Sequence, residues 1–266
     1  MAKYVLQKKQ TSKNEDWVSV KNNIEEYISY DECKELVEKT VDFIVSQTKG
    51  KKCAYGFSGG KDSIALKYVC ELAGVNDCVL GIASGLEFPS FLKWIEDNKP
   101  KCLTIIDNKE LTVDWLAKHP NMLFPELSSD NSKFYQMIQH SAQNKYFKEH
   151  DLDMVILGRR YQDGNYIGNR NLQYENGKGV VRFSPIANWK HEDVFACIHY
   201  FCNDNYPPIY DYPNGYIRGS GVWCERRPWC NSQEECLEEI YAADKSVLEN
   251  AAKKIQVIKN FLKNKQ

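Results

Sequence analysis

Apolar positions along this chain recur at two alternating periods. Over Glu32 to Thr48, the residues Leu36, Val37, Val41, Ile44 and Val45 fall at helical spacing, which predicts a helix. Cys53-Ala54-Tyr55-Gly56-Phe57 is a short apolar run that reads as a buried strand. Ile64, Ala65, Leu66, Tyr68, Val69 and Leu72 then mark a helix over about Asp62 to Ala73, with a Ser-Gly-Gly turn between the two. The alternation continues with Cys78 to Ala83 as strand, Pro89 to Asp97 as helix and Leu103 to Ile106 as strand. A helical region around Asn131 to Glu149 and a strand over Met154 to Leu157 follow. Strand and helix in alternation build a parallel sheet with right-handed crossovers, so the fold class is α/β, a parallel sheet flanked by helices.

Leu172 to Phe183 alternates polar and apolar residues about Asn176-Gly177, the strongest short hairpin signal, and predicts a β-hairpin as an excursion from the main sheet. His191 to Phe201 reads as a helix and Asn205 to Trp229 as a Tyr/Pro/Gly-rich loop. One final helix is expected from about Gln233 to Leu262. It carries Glu234, Glu235, Glu238 and Glu239 near its start and Lys253, Lys254, Lys259 and Lys263 near its end, a charge order that complements the helix dipole. Residues 1–30 are polar and weakly patterned and read as an N-terminal extension. Residues 31–230 read as one α/β domain, and residues 231–266 as a C-terminal helix packed on it.

Composition narrows the picture. The 266 residues are 42% apolar and 27% charged, which excludes disordered, collagenous and low-complexity chains. With 35 Lys plus Arg against 36 Asp plus Glu, the net charge of −1 provides no global field for nucleic acid or an anionic membrane, so a nucleic-acid contact would be a local patch. No apolar run approaches the ~18 residues of a membrane span, and the start lacks a signal-peptide stretch. A cytoplasmic protein without membrane contact is expected. The ten cysteines are scattered through apolar segments and read as buried reduced thiols.

The turn Ser58-Gly59-Gly60-Lys61-Asp62-Ser63 lies where a strand ends and a helix begins. Backbone N–H groups at a helix start, the positive end of the dipole and glycines without Cβ atoms let an anion come close to the main chain, and a phosphate is the natural guest. A plain tight turn with Asp or Ser as a cap is the structural alternative. The pattern G-x-x-x-x-G-K-[ST] does not fit, because Gly56 and Gly60 are separated by three residues and Asp62 follows Lys61. G-x-G-x-x-G does not fit either.

These six residues resemble the S-G-G-x-D-S pyrophosphate loop of the adenine nucleotide α-hydrolase superfamily. Other segments resemble its phosphoadenosine phosphosulfate (PAPS) reductase branch. Gly85-Leu86-Glu87-Phe88-Pro89 is similar to that family's T-G-x-x-F-P segment, with Ser84 in place of Thr, and Gly158-Arg159-Arg160-Tyr161-Gln162-Asp163 to G-x-R-x-x-E. Ser184 to Trp189, followed by Glu192-Asp193-Val194, resembles P-I-x-x-W-x-x-x-D-V. Tyr206-Pro207-Pro208-Ile209-Tyr210 with Gly215-Tyr216 resembles P-x-x-x-L-Y-x-x-G-Y. The resemblance covers about residues 50–220 in order and implies a Rossmann-like sheet whose strand-end loops bind a nucleotide, ATP or PAPS or adenylyl sulfate, through Ser58, Gly59, Gly60, Lys61, Asp62 and Ser63. It implies that backbone near Ala83, Ser84 and Gly85, with Glu87 beside them, holds adenine or ribose. Gly158, Arg159, Arg160 and Asp163 join the nucleotide site, with Arg159 or Arg160 reaching the phosphates, a task suited to guanidinium. Lys61, Asp62 and Arg160 are the residues expected to serve catalysis, Asp62 either holding Mg²⁺ or capping the helix. The expected chemistry is attack at the α-phosphorus with release of pyrophosphate, adenylyl transfer to an acceptor. Lys61 and Asp62 are both expected at an exposed helix start.

The resemblance breaks near the carboxyl end. Reductases of this family carry a nucleophilic cysteine in an E-C-G-L-H segment, whereas this chain has Glu235-Cys236-Leu237 without the Gly and His. The Cys-Cys and C-x-x-C ligands of relatives with an iron–sulfur cluster do not occur, so no such cluster is expected. Cys224, Cys230 and Cys236 would need a fourth metal ligand, His191 or His199, both at helical positions. Arg218, Trp223, Arg226, Arg227 and Trp229 are of the types that stack on bases and pair with phosphates, or else pack within the domain. Two other functions therefore stand beside adenylyl transfer: reduction of PAPS or adenylyl sulfate through Cys236, Cys230 or Cys224, and a non-catalytic nucleotide-binding regulator. The acceptor stays open between nucleic acid and a partner protein, and the assembly between a single chain and a homodimer.

Overall fold

The computed structural model describes residues 3–7, 11–218, 221–223 and 230–265. Six strands, β1 (Cys53–Gly56), β2 (Cys78–Ile82), β3 (Leu103–Asp107), β4 (Met154–Ile156), β5 (Gln173–Glu175) and β6 (Val181–Phe183), form one sheet in the order β3-β2-β1-β4-β6-β5. β1 runs parallel to both neighbours, with Tyr55 opposite Cys78 and Ala54 opposite Val155. The Asn176-Gly177 hairpin is present, yet it is not an excursion: β6 pairs parallel with β4, and β5 lies antiparallel at the sheet's edge. Two-residue periodicity shows that strands pair and does not show which neighbour takes the second strand.

The helices are α1 (Asn14–Asn22), α2 (Tyr30–Thr48), α3 (Lys61–Leu72), α4 (Pro89–Asn98), α5 (Val113–Lys118), α6 (Ser128–Tyr135), α7 (Ser141–Glu149), α8 (His191–Phe201), α9 (Gly215–Arg218), α10 (Gln233–Ala251) and α11 (Gln256–Asn264). The helical region expected over Asn131 to Glu149 is α6 and α7 joined by a π-helical segment, Gln136–His140. Two compact units divide the chain: Met1–Leu80, Pro100–Ile105 and Ala142–Tyr206 form one, and Gly81–Lys99, Ile106–Ser141 and Pro207–Gln266 the other.

In the first unit, α2 starts on a capping box, Ser29 accepting from the Glu32 N–H while Glu32 accepts from that of Ser29. Its inward face buries Cys33, Val37 and Ile44. α8 packs on α1, α2 and α3, with Val194, Phe195, Ala196, Cys197 and Ile198 all buried. The amino-terminal region, expected as a polar and weakly patterned extension, contributes buried side chains. Leu6, Trp17, Val20, Ile24 and Ile28 are buried, and the Val5 and Leu6 N–H groups both donate to Glu192 Oε1. α1 turns only Trp17 and Val20 inward, too few positions to produce a visible period.

In the second unit, α4 opens with Pro89 at its first helical position, where the missing N–H costs nothing. The single final helix expected over Gln233 to Leu262 is two, α10 and α11, and α10 itself kinks at Asp244, whose backbone is extended at φ −157° and ψ 97°. Asp244 Oδ1 accepts from the Ser246 N–H and hydroxyl, so its side chain restarts the helix as a local cap. Among the described residues, no helix is long and apolar enough to cross a membrane.

Candidate functional site

β1 leads into α3 through a turn closed by its two serines. The Ser58 N–H donates to Ser63 Oγ at 3.1 Å, the Ser63 hydroxyl donates to the Gly60 carbonyl at 2.8 Å, and the Gly60 N–H donates to Ser58 Oγ at 3.4 Å. The Ser63 and Ile64 N–H groups bond the Gly60 carbonyl as the first helical turn. Three of the amides expected to face an anion, those of Ser58, Gly60 and Ser63, are thus held inside the turn. Gly59 sits at φ 72°, a left-handed conformation that glycine adopts without a Cβ clash, and among the described residues no acceptor meets its N–H. Gly158 follows β4 and lies against the same helix start: a Cβ there would stand 3.0 Å from the Asp62 carbonyl oxygen.

Beneath this turn lies a charge network. Lys61 is 2% exposed and Arg160 0%, so the exposed helix start expected for Lys61 is corrected to a buried one. Helix geometry turns Lys61 inward, where Lys61 Nζ lies over the Trp17 ring at 5.7 Å and donates to both Asp62 oxygens at 2.8 and 2.9 Å. Arg160 Nε forms an ion pair with Asp62 Oδ1 at 2.9 Å, and its Nη2 reaches Asp163 Oδ2 at 3.0 Å and His191 Nδ1 at 2.8 Å. Buried cations need such partners. Asp62 therefore serves two cations, both meeting on Oδ1, while Oδ2 accepts from Lys61 on a side chain that is 29% exposed.

Arg159, the neighbour of Arg160, is partly exposed. Its Nη1 donates to Tyr174 Oη at 2.5 Å, and Arg182 Nη1 approaches the same phenol oxygen at 3.3 Å. Burial lowers the Arg159 pKa from its ordinary value.

In the second unit, the turn after β2 carries Ala83, Ser84, Gly85 and Glu87. Ser84 donates its N–H to Asp107 Oδ1 at 3.0 Å and its hydroxyl to Oδ2 at 2.7 Å. A Cβ on Gly85 would lie 3.1 Å from the Leu111 carbonyl. Glu87 Oε2 is buried without a hydrogen-bond partner, and burial, with the Asp107 charge adding to it, pushes this carboxyl up to about 8.

Of the carboxyl-terminal cysteines, Cys230 and Cys236 are buried. Cys230 Sγ and oxygens of Glu235 and Glu239 lie within 4.8 Å of one another. Glu239, however, forms a two-point pair with buried Arg218, at 2.7 Å from Nε and 2.6 Å from Nη2, and Glu235 accepts from the Asn231 N–H. Arg218 is thus packed within its domain, and Trp223 is buried against Phe124. Cys224, Arg226, Arg227 and Trp229 lie outside the described residues. His191 Nδ1 is engaged by Arg160, and the two His199 ring nitrogens by Asp204 and Glu25.

Sequence reasoning missed Trp17, His191 as a partner of Arg160, and Tyr174. Trp17 sits in a segment without periodicity, and the contacts of His191 and Tyr174 join residues 31 and 15 positions apart.

Residues 52–218 match the profile of the phosphoadenosine phosphosulfate reductase domain. No curated protein matches the chain. Among solved structures, a phosphoadenylyl-sulfate reductase from Candida auris in complex with phosphate is similar at 15% identity, covering 70% of this chain and 94% of that one with a TM-score of 0.49. The NMN synthetase of Francisella tularensis is 17% identical over 80% of this chain and 93% of its own, TM-score 0.49. A U34-tRNA thiolase from Methanococcus maripaludis, solved with its [4Fe-4S] cluster, is 16% identical over 85% and 80%, TM-score 0.46.

Proposed function

This chain belongs to the phosphoadenosine phosphosulfate reductase domain family of the adenine nucleotide α-hydrolase superfamily, and on that premise we propose that it binds ATP or a related adenylyl nucleotide through the Ser58 to Ser63 turn and acts at the α-phosphate. The observation that carries this reading is the charge balance under the turn. Asp62 stands in the first turn of α3, where an uncompensated carboxylate would repel a phosphate. Lys61 and Arg160 both pair with it, so the positive end of the helix is left to an anionic guest. The Gly59 N–H supplies a donor at the same place.

In this reading an acceptor nucleophile attacks the α-phosphorus and the bond to the bridging oxygen breaks. Pyrophosphate departs with its negative charge against the turn. The α3 dipole and the Gly59 N–H stabilise that charge, and Arg159, partly exposed in the segment that follows Gly158, supplies a guanidinium to the phosphates. Arg160 serves by fixing Asp62. Asp62 Oδ2 is the oxygen that would hold a Mg²⁺ ion, which would supply charge neutralisation to the phosphates, and no step is routed through it. The test is incubation with α-labelled ATP and separated cell fractions: AMP or an adenylylated product with equimolar pyrophosphate supports the reading, whereas tight ATP binding with no turnover in any fraction supports a regulator.

One observation favours sulfonucleotide reduction as a second reading. The hydrogen bond from Cys236 lowers the pKa of the Cys230 thiol, and the Arg218 guanidinium, with Nη2 at 3.7 Å from Sγ, lowers it further. Thioredoxin-dependent release of sulfite from PAPS or adenylyl sulfate, lost in Cys230→Ser, would establish that activity.

A further inference from the structure

We propose that His191 is a positioning residue for the phosphate turn: its neutral imidazole, acting as a hydrogen-bond acceptor, aims the Arg160 guanidinium at Asp62. This rests on the reading that the turn from Ser58 to Ser63 holds a nucleotide.

A guanidinium only donates. At 2.8 Å from Arg160 Nη2, His191 Nδ1 must therefore present its lone pair, which places the ring proton on Nε2 and leaves the ring neutral. The ring has no freedom to answer otherwise. It is 0% exposed, Trp17 packs edge-on against it at 4.3 Å, and the His191 N–H is fixed to Gln162 Oε1 at 2.8 Å. Gln162 is anchored in turn by its donation to the Leu6 carbonyl at 3.0 Å.

Each edge of the guanidinium is thereby assigned. Nη2 is shared between His191 Nδ1 and Asp163, Nη1 is directed to the Trp189 carbonyl and Gln162 Oε1 at 3.4 Å each, and Nε is left as an ion-pair partner 2.9 Å from Asp62 Oδ1, without a hydrogen bond to hold it there. Without the imidazole acceptor, the planar fork loses its shortest hydrogen bond, at 2.8 Å, and Nε, which no hydrogen bond holds, shifts from Asp62 and weakens one of its two neutralising pairs. Nη2 would then answer to Asp163 alone, against the two longer Nη1 contacts, and the fork would turn toward that carboxylate.

The test compares wild type, His191→Asn and His191→Leu. Asparagine places Oδ1 where Nδ1 stands and keeps an acceptor, while leucine has similar bulk and none. Long-range ¹H–¹⁵N correlation of the wild-type histidine rings is expected to show His191 Nδ1 unprotonated. The side-chain carboxyl ¹³C resonance of Asp62 is expected to move in His191→Leu and to stay in His191→Asn. ATP affinity by calorimetry should fall about tenfold in the leucine variant, the cost of one charge-assisted hydrogen bond, and recover in the asparagine variant. A protonated Nδ1 in wild type overturns the proposal, as does an asparagine variant that behaves like leucine or a leucine variant that behaves like wild type. Should His191→Leu not fold, the wild-type tautomer and the Asp62 resonance of His191→Asn decide. Failure of wild type to bind ATP or PAPS contradicts the functional reading, while the tautomer and Asp62 signals still judge the role of His191.

Discussion

Gly158 lies so close to Asp62 that a single added carbon does not fit: its Cβ would stand 3.0 Å from the Asp62 carbonyl oxygen and 3.2 Å from the carbonyl carbon, both backbone atoms. The contact ties the segment after β4 to the first turn of α3. Gly158→Ala must push the two apart, at a cost of about 1–3 kcal/mol typical of overpacking. Thermal unfolding should show the loss, and calorimetry a weaker ATP affinity. Gly177→Ala, with nothing within 4 Å of its Cβ, is the control expected to leave affinity unchanged. Equal behaviour of the two variants would remove Gly158 from the site.

Lys61→Met replaces a buried cation by an apolar side chain of similar length. Asp62, 29% exposed, then keeps only Arg160 of its two cations, and the loss of a charge-assisted hydrogen bond costs about 1.5–3 kcal/mol. Stability and ATP affinity should fall together, because the same ammonium that steadies the fold also neutralises the carboxylate at the helix start. Denaturant unfolding and titration calorimetry read the two effects. A variant as stable as wild type would contradict the network.

Glu87 makes stability depend on pH. Its carboxyl sits at about 8 in the folded protein against an ordinary 4.5, so between these values the folded state holds a proton that the unfolded chain has released. This group's contribution therefore becomes steadily less favourable as pH rises through that window. Glu87→Gln cannot ionise, and its stability relative to wild type should improve from pH 5 to pH 8 in urea unfolding. A difference independent of pH would show that Glu87 is ionised in the folded state.

Much of the fold was legible because the chain alternates short apolar runs with helical periods. Cys53–Gly56 and Lys61–Leu72 lie within a residue or two of the expected bounds. The motif at Ser58 to Ser63 was legible for a related reason: only glycine takes the φ of 72° at position 59 without strain, and that requirement is written into the sequence. Burial of charge was not. Lys61 reads as a surface residue until Trp17, 44 positions earlier, is packed beneath it, and nothing in the local pattern of α1 announces that contact. Arg160 likewise reads as a group for the ligand, while its partners Asp62, Asp163 and His191 come from three separate segments. The kink at Asp244 escaped because an aspartate inside a helical pattern looks like a solvated position until its side chain turns back to cap Ser246.

The most direct test is a crystal structure of the protein soaked with ATP. The expected density places a phosphate within hydrogen-bonding distance of the Gly59 N–H, at the first turn of α3, with the pairs of Asp62 to Lys61 and Arg160 intact. A nucleotide bound elsewhere, with the turn unchanged and Gly59 untouched, would contradict the assignment of Ser58 to Ser63 as the phosphate site.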